Sequence, residues 1–211
     1  MNGELRIRYA AALRELAAVW HPLEGDSKPM LIEAPAAYAE ASLKLMVVGQ
    51  EAGGWAKSLP LGDEAVAPLM RLYTDFDLGR NQRPFTPFWQ AAWKIAGGLG
   101  VASFVWSNLV KVDVGGRRPS ADVEATVASL ELVEQEFAVT RPDAVVFFTG
   151  PQYDERLKAT CPAAAIEELG NGTARIHDMP FRAVRTYHPK YLRLKGHWAE
   201  LDKVVALLAG A

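Results

Sequence analysis

Leu45-Met46-Val47-Val48-Gly49-Gln50-Glu51-Ala52-Gly53-Gly54-Trp55 is the stretch around which the chain is organised. Its four consecutive apolar residues, two of them valines, predict a strand that is covered on both faces, as in a parallel sheet. Gly49 lets the backbone turn sharply or approach a ligand closely. Gln50 and Glu51 then stand at the carboxyl end of the strand, where open α/β sheets bind their ligands. An ordinary strand-to-helix turn with a solvated glutamate is the alternative interpretation.

Three later apolar segments also end in residues that are unusual inside a strand. Together with the first, they predict strands near residues 45–49, 103–107, 144–149 and 182–187. The spacing of apolar residues predicts helices near residues 4–20, 63–78, 85–99 and 120–139 and at the end of the chain, and a short edge strand near 174–177. Because this alternation requires right-handed crossovers, we expect a three-layer α/β/α domain with a central, mainly parallel four-stranded sheet.

Length and composition favour one globular domain over residues 1–211, since 50% hydrophobic residues suffice for a sizeable core. The net charge of -2 neither predicts nor excludes a nucleic-acid partner, because a local basic patch can bind phosphates. Cys161 is the only cysteine, which excludes an internal disulfide and argues against a cysteine-ligated metal centre. No apolar run is long enough to cross a bilayer, so we expect a cytoplasmic protein without a membrane partner. The protein is also expected to be a monomer.

The strand ends predict a shared site. Because the carboxyl ends of parallel strands meet at one edge of a sheet, Glu51, Asn108 and His188 are expected to line one pocket. The amide of Asn108 offers one acceptor and two donors, which can read the edge of a nucleobase, although an asparagine in this position can also cap a turn. Trp55 and Phe85 are candidates for stacking on a planar ligand, with core packing as the alternative.

In this order, the motifs resemble those of the uracil-DNA glycosylase superfamily. Its first motif is a strand that ends Gly-Gln-Asp-Pro or a variant such as Gly-Glu-x-Pro-Gly, a middle strand ends in a base-reading Asn, and the last motif begins His-Pro-Ser. The corresponding pieces here are Gly49-Gln50-Glu51-Ala52-Gly53, Asn108 and His188-Pro189-Lys190. The resemblance covers roughly residues 44–196. Three departures stand out: Glu51 replaces the water-positioning Asp, Ala52 replaces the proline, and Lys190 replaces the serine.

The resemblance implies a DNA-repair glycosylase that hydrolyses the N-glycosidic bond of uracil or a related damaged base. Glu51 would stabilise the sugar cation or orient water, and His188 would donate a hydrogen bond to the departing base. Base contacts are expected from Gln50, Asn108, Trp55 and Phe85. DNA contacts are expected from Arg185, Lys190, Leu192, Arg193 and Lys195, where Leu192 corresponds to the leucine with which the family enters the helix.

No metal or other cofactor is expected, and the expected partner is single- or double-stranded DNA. A second class of function stays open, because the altered first motif is also compatible with lost chemistry. In that case the chain would be a non-catalytic nucleic-acid or nucleobase-binding protein of the same fold. The release of a damaged base from DNA separates the two hypotheses.

Overall fold

The computed structural model describes residues 1–81 and 83–210. In this part of the chain, the strands form one six-stranded mixed sheet, with helices packed on both sides of it. The strands are β1 (Leu45–Gly49), β2 (Val105–Asn108), β3 (Ala144–Phe147), β4 (Ala165–Glu168), β5 (Ala174–His177) and β6 (Arg182–Arg185). The helices are α1 (Asn2–Val19), α2 (Ala36–Ala39), α3 (Val66–Phe76), α4 (Pro87–Gly98), α5 (Ala121–Ala128), α6 (Leu132–Thr140), α7 (Asp154–Thr160), α8 (Pro189–Leu194) and α9 (Glu200–Ala209).

The sheet is mostly parallel, and its strand order is β2-β1-β3-β6-β5-β4. β1 pairs with β3, and β3 with β6, in parallel, whereas β6–β5 and β5–β4 are antiparallel pairs. All residues of β1 and β3 are buried, as the unbroken apolar runs in the sequence predict. The α/β class and the four predicted strands are therefore confirmed.

The sheet has two strands more than the predicted four. β5 is the strand expected near residues 174–177, although it lies between β6 and β4 and not, as predicted, at the edge of the sheet. The edge strand on this side of the sheet is β4, which was not predicted. Three of the four residues of β4 are exposed, and two of these are glutamates, so its sequence lacks the apolar alternation that marks a half-buried strand. Charged side chains of this kind are common on edge strands, where they discourage pairing with another chain.

One predicted helix is interrupted. The helix expected over residues 120–139 is divided into α5 and α6 by Glu131, which has a φ of 51° in the left-handed region. The Ser129 hydroxyl donates to the carbonyl of Thr126 over 2.8 Å, and the Gln135 amide donates to the carbonyl of Leu130 over 2.9 Å. These side-chain bonds offer the backbone groups an alternative to the helix. The apolar spacing continues across the break, which is why the sequence pattern missed it.

The chain divides into two compact units. The first unit consists of Met1–Ala34, Glu51–Asp77 and Ser107–Arg141, and the second of Pro35–Gln50, Leu78–Trp106 and Pro142–Ala211. In the first unit α1 packs on α6 and α3, and in the second α9 packs on α4, β3 and β6. The expectation of a single domain stays a prediction. Across the residues that the structure describes, no helix is both long and apolar enough to cross a membrane.

Candidate functional site

In the second unit, three parallel strands end at a common edge of the sheet. Val48 of β1 pairs with Phe147 of β3, which pairs with Arg185 of β6. The residues that follow these strands are therefore neighbours, and the side-chain amide of Gln50 donates to the carbonyl of Thr149 over 2.8 Å. This bond fixes the Gln50 side chain at the edge that the sequence predicted for ligand binding.

A cavity of about 480 Å³ opens beside this edge. Its lining residues all belong to the second unit, and they are Gln50, Gln152, Tyr187, His188, Lys190, Tyr191 and Leu194. The structure thus brings together three of the residues singled out in the sequence, namely Gln50, His188 and Lys190. The other four were missed, although Tyr187 and Tyr191 flank the His-Pro motif in the sequence and could have been noticed there. The volume lies within the usual range for small-molecule sites.

His188 is one of the titratable residues that line the cavity. It is the residue before α8, and its Nδ1 accepts a hydrogen bond from the backbone N–H of Lys190 over 3.2 Å. Burial, reinforced by the charge of Lys190, lowers the pKa of His188 to about 4. The ring is therefore neutral at pH 7. Because Nδ1 is the acceptor, the proton of the neutral ring is assigned to Nε2, which is left to donate a hydrogen bond.

An aromatic cluster accounts for the burial of His188. The ring of Phe88 lies 5.8 Å from that of His188 and is tilted by 32° to it. Phe88 also makes edge-on contacts with Trp89, Trp106 and Phe148, at centroid separations of 5.0, 6.1 and 5.5 Å. Such an apolar surrounding disfavours the charged imidazolium, since it removes water that would solvate the charge.

Glu51 and Asn108 belong to the first unit, and their convergence with His188 stays a prediction. Glu51 is half-buried in the bend after β1. The glycine loop beyond it is held by Asp113, a fully buried carboxylate that accepts hydrogen bonds from the backbone N–H groups of Gly54 and, over 2.6 Å, Gly116. No motif in the sequence marks Asp113 as the residue that fixes this loop.

Asn108, the last residue of β2, has only 2% of its surface exposed, and its Nδ2 lies 3.5 Å from the sulfur of Met30. The preceding residue is anchored by a buried polar cluster around Glu136. The Glu136 carboxylate accepts hydrogen bonds from Tyr9 over 2.8 Å, from Ser107 over 2.6 Å and from Lys111 over 2.5 Å. Burial lowers the pKa of Lys111, and burial together with Glu136 raises that of Tyr9. The cluster fixes the end of β2.

The two aromatic residues proposed for stacking differ in their surroundings. Trp55 is 8% exposed and contacts Phe76 edge-on at 5.6 Å, so it packs in the core of the first unit, which argues against a stacking role. Phe85 is 84% exposed and remains available. Large aromatic side chains are most often core residues, and the sequence alone did not separate the two cases.

Two of the predicted DNA contacts, Arg185 and Leu192, are buried. The Arg185 side chain is fully buried, and its guanidinium forms two hydrogen bonds of 3.1 Å with Asp154 and further bonds with Glu168 and the carbonyl of Gly172. These bonds hold the Arg185 guanidinium inside the folded chain, and its contact with phosphate stays a prediction. Leu192 is 0% exposed and packs in the core, and its entry into a DNA helix stays a prediction.

The remaining predicted DNA contacts are exposed. Lys190, Arg193 and Lys195 lie on α8 or directly after it, and within the described residues none of them pairs with a carboxylate. The guanidinium of Arg193 lies 4.5 Å from the centre of the Trp198 ring, and Nζ of Lys195 lies 5.6 Å from that of Tyr191. Lys190 itself lines the cavity, so this basic segment begins at the cavity.

Among residues 1–81 and 83–210, no group of three or more histidine, cysteine, aspartate and glutamate side chains is placed to hold a metal ion. The arrangement in the second unit can instead accept hydrogen bonds, donate one from a neutral imidazole and present aromatic surface to a ligand. Comparison with known proteins adds nothing to this geometry, because no protein-family model matches the chain and no curated protein is significantly similar to it.

Proposed function

We propose that the chain is a divergent member of the uracil-DNA glycosylase superfamily, built as one three-layer α/β/α domain. In this proposal it hydrolyses the N-glycosidic bond between deoxyribose and uracil, or a related damaged base, in DNA. The observation that carries the proposal is the state of His188. Its imidazole is neutral, its proton is assigned to Nε2, and it lines a cavity at the carboxyl edge of a parallel sheet together with the amide of Gln50.

The chemistry of base release needs such a donor. As the glycosidic bond breaks, positive charge develops on the sugar and negative charge on the departing base. A neutral N–H stabilises the negative charge through a hydrogen bond, and one preorganised donor of this kind typically lowers the barrier by roughly 2.7–4 kcal/mol. Gln50 is held by Thr149 and is assigned to the edge of the base. Glu51 is assigned to the sugar cation or to the attacking water, and Asn108 to base selection.

One observation favours the non-catalytic alternative. Asn108 is nearly inaccessible and its amide contacts Met30, so in this arrangement it is poorly placed to read a base. In the first motif, Glu51 and Ala52 also replace the acid and the proline of the family pattern. A protein that binds nucleic acid without cleaving the bond would retain the cavity and the basic residues but release no base.

Base release tests the proposal directly. Labelled oligonucleotides that carry uracil, hypoxanthine, xanthine or an oxidised base are incubated with excess protein, and abasic product is measured in a single turnover. DNA binding is measured separately at one fixed salt concentration, since phosphate contacts depend strongly on salt. We expect release of at least one base by the parent and strongly reduced release by His188→Ala. If the parent binds DNA but releases none of these bases, the non-catalytic alternative replaces the proposal.

A further inference from the structure

The cavity has an aromatic wall that no sequence motif indicated. Tyr187 and Tyr191 both line it, and their ring centroids lie 4.6 Å apart with an angle of 50° between the planes. Tyr191 is 41% exposed, and Leu194, 72% exposed, continues the apolar surface one turn further along α8. Exposed aromatic side chains beside a cavity provide the surface on which unpaired nucleobases stack.

The position of Tyr187 is fixed by a glycine. Gly172, in the turn between β4 and β5, has a φ of +70°, and a Cβ at this position would lie 2.1 Å from Cε2 of Tyr187. The Tyr187 ring therefore occupies the space that the side chain of any other residue at position 172 would fill. The carbonyl of Gly172 also accepts a hydrogen bond from Arg185, two residues before Tyr187. Both contacts hold the wall in place before any ligand arrives, which lowers the entropic cost of binding.

The charges beside the wall favour an anionic ligand. The residues that line the cavity include Lys190 and, among the described residues, no carboxylate. Lys195 lies against the Tyr191 ring, and Arg193 lies between the two in the sequence. Cations that alternate with aromatic rings are the arrangement with which proteins follow the phosphates of a single strand while its bases stack on side chains.

We infer that this wall binds a single strand of DNA, with an unpaired base stacked on Tyr191 and phosphates on Lys190 and Lys195. The choice of DNA rests on the proposed function, whereas the preference for a single strand rests on the wall itself. The bases of a duplex are already stacked on one another and offer no free face to a tyrosine. The segment from Tyr187 to Lys195 therefore determines which form of the substrate reaches His188.

Lesion-free oligonucleotides test the inference independently of base release. Binding of a fluorescent single strand of about 12 nucleotides, of its duplex and of the same sequence in RNA is measured by anisotropy at one salt concentration. We expect tighter binding of the single-stranded DNA than of the other two. Tyr191→Leu should weaken single-strand binding at least about fivefold, whereas Tyr191→Phe, which retains the ring, should bind like the parent.

A charge control completes the experiment. Lys190→Ala combined with Lys195→Ala should weaken binding and reduce its salt dependence, whereas Lys158→Ala removes an exposed lysine of α7 outside the cavity lining and should change neither. Equal or tighter binding of the duplex, tighter binding of the RNA, or unchanged binding by Tyr191→Leu would overturn the inference. Base release from duplex DNA with no single-strand binding would overturn only the inference of single-strand binding. Single-strand binding without base release would overturn only the glycosylase proposal.

Discussion

The backbone N–H of Lys190 donates a hydrogen bond to Nδ1 of His188, and this bond determines which ring nitrogen is left to act on a ligand. Since burial lowers the pKa of His188 to about 4, the ring stays neutral well below pH 7. We expect the rate of base release to lose the contribution of His188 only as the pH approaches 4. Single-turnover rates between pH 7 and pH 4 check this, with the ring proton shifts of His188 followed by NMR. An inflection near 6.5, absent from His188→Gln, would contradict it.

The same pKa links stability to pH. The folded protein resists protonation of His188, whereas the unfolded chain takes up the proton near the ordinary value of 6.5. The neutral ring of His188 therefore makes its full contribution to stability above pH 6.5. The free energy of unfolding should decrease by up to about 3 kcal/mol as the pH falls from 6.5 towards 4. Urea unfolding at pH 7 and pH 5 measures the change. His188→Gln should show a smaller decrease than the parent, and an equal decrease in both would refute the assignment.

Arg185 provides the clearest stability prediction. Its guanidinium is buried and bonded to Asp154, Glu168 and Gly172, so Arg185→Ala leaves carboxylates without their partner. The side chains of Asp154 and Glu168 keep 22% and 55% of their surface exposed, so the loss should cost about 1–3 kcal/mol, less than for a fully buried pair. Arg182→Ala is the matched control, because Arg182 is an exposed arginine of the same strand and its loss should cost less than about 0.5 kcal/mol. Similar unfolding midpoints for the two variants would show that the ion pairs of Arg185 contribute nothing to stability.

The turn between β4 and β5 contains a second glycine, Gly170, which serves as the control for the contact between Gly172 and Tyr187. Gly170 and Gly172 both have positive φ, but a Cβ at Gly170 meets nothing within 4 Å, whereas one at Gly172 meets the Tyr187 ring. Alanine at either position carries a backbone cost of about 1–2 kcal/mol. Gly172→Ala should be further destabilised by overpacking, typically by about 1–3 kcal/mol, and should weaken single-strand binding. Equal effects of the two substitutions on stability and binding would show that Tyr187 is not held in this way.

The roles of the proposed site residues can be ranked by their kinetics. We expect His188→Ala to lower single-turnover base release about 10²–10³-fold, by analogy with the loss of one oxyanion donor. Asn108→Ala should also lose more activity than Glu51→Gln, because the first motif has changed its acid and lost its proline, and a misplaced carboxylate orients water less well. Circular dichroism checks that Asn108→Ala, which alters a buried residue, is folded. Activity lost only in Glu51→Gln would reverse the ranking.

Sequence patterns predicted the parts of the fold that depend on burial alone. The apolar runs of β1 and β3 are unambiguous because both faces of the strands are covered. The sequence did not predict β4, because an exposed edge strand needs no apolar residues. It did not predict the break at Glu131 either, because local side-chain bonds leave the apolar spacing unchanged.

The site was predictable only where it follows directly from a strand end. Gln50 and His188 were found because parallel strands bring their carboxyl ends together. The burial of Arg185 was not predicted, since an arginine beside a basic motif has the same sequence signature whether it contacts a phosphate or an internal carboxylate. Nor does any sequence signal reveal that Gly172 leaves room for Tyr187, because that contact depends on the path of a turn.

The mixed sheet has a consequence for the order in which the chain folds. The antiparallel pairs β4–β5 and β5–β6 join strands that lie close in sequence, for example Ile176 with Ala183. In contrast, Leu45 of β1 must find Ala144. Closing the longer loop costs more entropy, so the antiparallel meander should nucleate before β1 joins. In pulse-labelled hydrogen exchange during refolding, amides of β5 and β6 should become protected before those of β1. Gly172 and Tyr187 adjoin that meander, so the contacts that support the aromatic wall should form early in folding. Gln50 follows β1, so its side of the cavity should form only when β1 pairs with β3.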